Sequence, residues 1–337
     1  MESSNMEEAK KQRKNERKKI MSIPFPTTPT VRLTNHHSGS PVHALTFSAG
    51  TGQYLLTGSQ DRQIRLFNPS SAKLIQTYSA HGYEVLDLAV AEDNSRFVSG
   101  GGDKTVFLWD VAAGVTLRRF TGHAGRVNAV AFGGVGDGVV LSGSFDGTVK
   151  VWDAKSRSER PIMSLGEARD AVSSVFVRGH EVLVGSVDGR VRIYDLAMGH
   201  VDTDVLGASV TSVMRTMAND SYLVSTLDSH VRLMDRPAGK CLQSFTDKGF
   251  RNESYRIRST LAMADSVAMS GSEDGSIVAW DVLSGKVLHT FRHAKQDDVA
   301  REGGQKQVVS AVAWNRMRKT WASAGGDGTV VVWGGDD

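Results

Sequence analysis

The residues most able to do chemistry are seven aspartates (Asp61, Asp103, Asp146, Asp188, Asp228, Asp274 and Asp327) and ten histidines. A carboxylate beside an imidazole can orient a general base, and the two types grouped together can bind a metal ion. The spacing argues against both uses. The aspartates recur at intervals of 42, 43, 42, 40, 46 and 53 residues, and a catalytic centre has no need of the same acid in every repeat. No HExxH string occurs, and the adjacent His36 and His37 would point to opposite sides of an extended chain. The glycine clusters 99–103 (SGGGD) and 323–327 (SAGGD) are followed by neither GKS nor GKT, so they read as turns between strands rather than phosphate cradles. The single Cys241 can form neither an internal disulfide nor a cysteine zinc site, and fits a reducing compartment. The reading is therefore no catalytic residues, no metal ligands, no cofactor and no small-molecule substrate.

What positions the aspartates is a repeat. Six residues after each stands a large side chain: Phe67, Trp109, Trp152, Tyr194, Met234, Trp280 and Trp333. Between the two, polar and apolar residues alternate, as in 105–109 (TVFLW), which is the period of a pleated strand. Further strands fall at 127–132, 139–142 and 116–120, so each unit holds four. Seven units of four short strands predict an all-β, seven-bladed β-propeller. The last unit stops at Trp333 without a fourth strand, and residues 30–34 (TVRLT) have no other place to pair. The N-terminal strand is expected to complete the last blade and close the ring, which removes open sheet edges.

The repeat is identified as a member of the WD-repeat family. That resemblance implies a role for the aspartate: in the turn between second and third strands, it accepts from a histidine that leads on to a strand hydroxyl and the tryptophan N–H. His81, Ser99, Asp103 and Trp109 form one such set, and His123, Ser142, Asp146 and Trp152 another. Blades 4 and 5 lack the histidine and the tryptophan, and are expected to keep the aspartate without the network.

More specific strings are 80–95 (AHGYEVLDLAVAEDNS), 166–175 (GEARDAVSSV), 185–199 (GSVDGRVRIYDLAMG) and 225–235 (STLDSHVRLMD). They are similar to the mitogen-activated protein kinase organiser family, over residues 30–335. The resemblance implies a non-catalytic scaffold with two kinds of protein partner: splicing factors of the spliceosome, in pre-mRNA splicing, or components of a MAP-kinase cascade. It implies residence in nucleus and cytoplasm. A third role, substrate receptor of a cullin-type ubiquitin ligase, is disfavoured because no WDxR string ends a repeat; the strings are WDVA, WDAK and WDVL.

Three segments fall outside the repeat. Residues 1–20 carry seven Lys/Arg (Lys10, Lys11, Arg13, Lys14, Arg17, Lys18, Lys19) against four acids, a balance of +3 that equals the net charge of the whole chain. The other residues are therefore neutral overall, and the tail reads as disordered. Three uses are open to it: a nuclear-localisation signal or weak RNA contact, a neutral solvated tail, or a helix formed on a partner. It has no apolar stripe for a membrane. Residues 21–29 read as a proline linker and 293–307 as a polar insertion in a monomeric propeller.

Candidate partner-binding residues are Tyr83, Arg126, Phe145 and Arg169, which the repeat places in turns and inter-blade loops of one face. Aromatic and arginine side chains are the usual hot spots of interfaces. Phe145, beside Asp146, is either such an anchor or is packed on a neighbouring loop. Deleting residues 1–20 should leave the melting temperature unchanged and reduce nuclear accumulation or salt-sensitive RNA association. A large drop in melting temperature would contradict the tail reading.

Overall fold

The two strands in the middle of each sheet are buried almost along their whole length, as in Arg96–Gly101 and Thr105–Asp110, whereas the outer strands are largely exposed. The computed structural model describes residues 24–34, 39–293 and 307–334, arranged as seven four-stranded antiparallel sheets. Blades 1 to 6 span residues 42–79, 85–121, 127–165, 172–205, 210–245 and 259–292, each with its strands in sequence order. Blade 7 takes Val309–Asn315, Thr320–Gly325 and Val330–Gly334, and its outer strand is Thr28–Leu33. That strand pairs antiparallel with the last one, Val31 opposite Val332 and Leu33 opposite Val330. The ring is closed as the sequence implies, with the strand starting two residues earlier than the 30–34 reading.

One cavity of about 600 Å³ touches the first strand of every blade, from Leu45, Asp87 and Val130 round to Val312. The first strands therefore line a central channel. The core is divided into clusters shared by neighbouring blades. Phe97, Phe107 and Trp109 of blade 2 pack with Leu56, Ile64 and Tyr78 of blade 1. Phe97 and Trp109 lie parallel with centroids 5.6 Å apart, and Trp321 and Trp333 of blade 7 stack at 4.6 Å.

In blades 1 to 4 the spacing to the next blade is set by a glycine three residues before the aspartate, whereas blade 5 carries Ser225 there, bonded to Ser259. A Cβ on Gly58, Gly100, Gly143 or Gly185 would come within 2.7, 2.6, 2.5 or 2.6 Å of a Cγ1 of Val85, Val127, Val172 or Val210, the valine that opens the next blade. Blade 7 carries Ala324 at this position, and it packs in one cluster with Val42 of blade 1.

The sequence reading of 21–29 as a free linker is corrected for its described part. Phe25 stacks on Trp314 and Phe291, and the Trp321 indole N–H donates to the Pro26 carbonyl at 2.9 Å. Buried indoles seek an acceptor, and Pro26 supplies it, so the segment straps blade 7. The 293–307 boundary is also corrected: His293 is buried inside blade 7. Residues 294–306, the tail 1–20 and His36–His37 lie outside the described residues.

Gly143→Ala and Gly100→Ala should each cost roughly 1–3 kcal/mol by overpacking, read from urea unfolding. Gly166→Ala, with nothing within 4 Å of its added Cβ, should stay within about 0.5 kcal/mol of wild type. Equal costs at all three sites would remove the glycine seat as the spacing device.

Candidate partner-docking face

The turn aspartates organise one end of the ring. One carboxylate oxygen accepts the N–H two residues on, from Thr148 to Asp146 at 3.0 Å and from Thr105 to Asp103 at 3.3 Å. The other oxygen reaches the loop arriving from the previous blade: it accepts the Gly82 N–H for Asp103 (3.0 Å), the Ala124 N–H for Asp146 (2.8 Å) and the Arg169 N–H for Asp188 (3.1 Å). A backbone bond repeats the link. The residue before the aspartate donates to the carbonyl just ahead of the inner-strand valine, as from Gly102 to Glu84, Phe145 to Arg126 and Val187 to Ala171, each at 2.9 Å.

Both histidine networks implied by the resemblance are present. His81 Nδ1 lies 2.8 Å from Asp103 and Nε2 2.7 Å from Ser99, whose Oγ is 2.8 Å from the Trp109 indole nitrogen. His123, Asp146, Ser142 and Trp152 repeat this at 2.9, 2.8 and 2.8 Å. An ionised carboxylate only accepts, so Nδ1 carries the proton, Nε2 accepts from the serine hydroxyl, and the serine accepts from the indole. Every member of these two networks is satisfied. The Ser–His–Asp geometry invites comparison with a hydrolase triad, but Ser99 and Ser142 are 0% exposed, so no substrate reaches them.

Sequence reasoning missed a third set. In blade 7, His293 bonds Ser323 (2.8 Å) and Thr329 (2.9 Å), with the Trp333 indole donating to Ser323 at 3.0 Å. His289, four residues earlier, instead stacks on Phe25 at 5.5 Å, so this pair is not a metal clip. The expectation that blades 4 and 5 hold a bare aspartate is corrected. An arginine four residues on takes the missing histidine's place: Arg192 lies 2.7 Å from Asp188 and Arg232 2.5 Å from Asp228. Arg65 does the same for Asp61 in blade 1 at 2.7 Å. The strings DRQIR, DGRVR and DSHVR carried the signal: an i, i+4 pair lies on one side of a strand, where the guanidinium fork meets the carboxylate.

The four candidate partner residues all stand on this face. The structure joins two of them: the Arg126 guanidinium lies over the Phe145 ring at 5.0 Å, a position dictated by the Phe145–Arg126 backbone bond. In the matching pairs of other blades stand Gln60 and Pro41, Gly102 and Glu84, Val187 and Ala171. Phe145 is 55% and Tyr83 63% exposed. Tyr83 and Arg169 have no ring or charge contact with the pair among the described residues, and Arg169 contributes its backbone N–H to Asp188. The strings 80–95 and 166–175 are only half loop: Val85–Val90 and Val172–Arg178 are inner strands.

The segment leading into the inner strand of blade 6 carries a second unforeseen feature. Arg258 Nη1 donates to Asp87 at 2.6 Å and its Nη2 to the Leu86 carbonyl at 3.0 Å; Arg256 donates to the carbonyls of Asn128 and Leu86. The two arginines, in the segment that leads into blade 6, thus reach across the channel to blades 2 and 3. The RIR alternation at 256–258 was the available signal. Burial, then Arg256 and Arg258, push the nearby His43 down to about 4. Burial likewise lowers His123. For Asp103 and Asp146 burial opposes ionisation, but the histidine, the loop N–H and the turn threonine outweigh it and hold both carboxyls below the usual range. Asp188 is lowered to about 2: burial opposes, and bonds from Arg192 and Ser186 prevail.

The WD domain, G-beta repeat family matches residues 27–68, 72–110, 114–153 and 285–334. Those are the blades around the ring closure; the unmatched stretch includes the arginine-braced blades 4 and 5. WD repeat domain-containing protein 83 of Homo sapiens is 46% identical over 261 residues, 77% of this chain and 82% of that protein. A homolog of that protein in Dictyostelium discoideum is 29% identical over 90% of this chain and 97% of its own length. Autophagy-related protein 16 of Arabidopsis thaliana is 27% identical over 92% of this chain and 58% of its own length.

Two pH windows follow. His43 and His123 are neutral in the fold, so their stabilisation is full above about 6.5 and declines as pH falls from there. The lowered aspartates stabilise above about 3.9 and lose that contribution as pH falls through their folded values. Urea midpoints should therefore fall between pH 7 and 4.5 and again below 4. His43→Gln should flatten the first decline by roughly 1–3 kcal/mol, and Asp146→Asn the second. A midpoint that rises on acidification to 4.5 would contradict the assignment.

Proposed function

The chain belongs to the WD domain, G-beta repeat family, and we propose that it is a non-catalytic protein-docking scaffold whose partner sits on the aspartate-braced face at Arg126 and Phe145. One observation carries this reading: an exposed phenylalanine beside a stacked arginine, held on turns that hydrogen bonds fix in place. Braced loops lose little entropy on binding, and aromatic–arginine pairs make hot spots. The non-enzymatic part is supported by the engagement of the network serines, histidines and aspartates with one another. Among the described residues, no group of three or more His, Cys, Asp or Glu is placed to hold a metal.

For the assembly served, the spliceosomal reading is supported by the lysine-rich tail at 1–20, which suits a ribonucleoprotein setting. The kinase-cascade reading is supported by the similarity to the mitogen-activated protein kinase organiser family, which takes its name from that role. Affinity purification from nuclear and cytoplasmic fractions, with mass spectrometry of the captured proteins, separates them: splicing factors from the nucleus in one case, kinase-cascade components from the cytoplasm in the other.

Phe145→Ala and Arg126→Ala should each weaken the captured complex by roughly 1–3 kcal/mol while leaving the melting temperature unchanged. Arg316→Ala, in the turn at the opposite end of the ring, should retain the partner. If the Arg316 variant loses the partner and the other two keep it, the docking face is the opposite one.

A further inference from the structure

At the centre of the same face the channel mouth opens into a cavity of about 180 Å³, walled by Pro41, Leu86, Val308, Tyr255, Arg126 and Arg256. Its charges do not balance. Asp87 is the carboxylate that meets the channel arginines, and both its oxygens are committed: one to Arg258 at 2.6 Å, the other to the Val130 N–H at 2.9 Å. Arg256 donates to two backbone carbonyls and forms no ion pair among the described residues, with Asp87 acting on it only at longer range. Arg126 lies over the Phe145 ring, which orients its charge without neutralising it. Two guanidinium groups thus line the recess, the exposed Arg126 and the half-buried Arg256, with no carboxylate among its lining residues, and Arg258 behind them is already paired with Asp87; a half-buried charge without a partner is costly. A guanidinium has five donors, and those of Arg256 and Arg126 are not exhausted by these contacts.

We propose that this mouth is a carboxylate pocket that receives an acidic side chain, Asp or Glu, from the docked protein. The inference rests on the docking-face reading above and specifies what the partner must present. The volume holds several waters at about 30 Å³ each, enough for a carboxymethyl or carboxyethyl group. The apolar walls suit the methylenes of such a side chain, and the arginines its oxygens. A phosphoryl dianion fits less well, because Asp87, next in sequence to the lining residue Leu86 and close enough to act on Arg256, opposes a second negative charge.

The test uses the full chain on a printed array of short random peptides, each in three versions with Glu, Gln or phosphoserine at the centre. Wild type should retain a set of Glu peptides ~10-fold over both counterparts. Arg126→Gln should abolish that preference, and so should Arg256→Met where circular dichroism shows it folded. If Arg256→Met does not fold, the exposed Arg126→Gln decides alone. No Glu preference in wild type, or a preference that survives Arg126→Gln, overturns the proposal. Stronger retention of phosphoserine than Glu overturns the carboxylate assignment in favour of a phosphopeptide. Loss of native complex in Phe145→Ala with no Glu preference on the array would leave the docking face standing and remove the pocket; an intact complex in Phe145→Ala would remove the face itself.

Discussion

Each blade turns from its second to its third strand around one aspartate, and in blades 2 and 3 that carboxylate serves two segments at once. One oxygen closes the turn and the other holds the loop that arrives from the previous blade, as Asp146 does with Thr148 and Ala124. The turn and the loop carry the side chains of the proposed docking face, so their geometry is inherited from this one interaction. A carboxylate taking several hydrogen bonds in a half-buried site stays ionised, and all seven turns of this chain carry an aspartate there. Four arrangements hold it here: histidine backed by serine in blades 2 and 3, arginine in blades 1, 4 and 5, a serine hydroxyl in blade 6, and in blade 7 the Thr329 hydroxyl, which His293 contacts in turn. The arginine and the histidine are alternative ways of giving the acid a buried donor.

The second constraint is steric and sets the distance between blades. From blade 1 to blade 5, the valine that opens a blade seats on the glycine of the blade before, so that these sheets interlock near the channel. The tryptophan of the third strand fills the wider gap between blades. Closure by Thr28–Leu33, with Phe25 and Pro26 strapped over blade 7, extends the same packing across the join. The apolar strap was hard to read because two prolines surround a single phenylalanine, a composition that usually marks a spacer.

Much of this was legible because it repeats. The fixed Asp-to-Trp offset reports blade number, strand order and the ring closure, and the Gly-His dipeptide at 122–123 marks a network. What the sequence hid was what does not repeat. His293 was hidden by the polar run that follows it, and its partner Thr329 takes a place filled in blade 2 by the aspartate itself. Arg256, Arg258 and Asp87 are distant in sequence, and only the curvature of the ring brings blade 6 opposite blade 2. The Arg126–Phe145 pair lies between these cases: its residues were singled out separately, and a repeated backbone bond puts one over the other.

The central claim is that this network-braced face is where the protein meets its partner. Hydrogen–deuterium exchange of the free chain and of the native complex tests it directly. The account predicts that complex formation slows exchange in the loops at 81–84, 124–127 and 144–147 and leaves the turns at 48–54 and 91–96 at the free rate. Protection confined to those opposite turns, with the aspartate-braced loops exchanging as in the free protein, would contradict it.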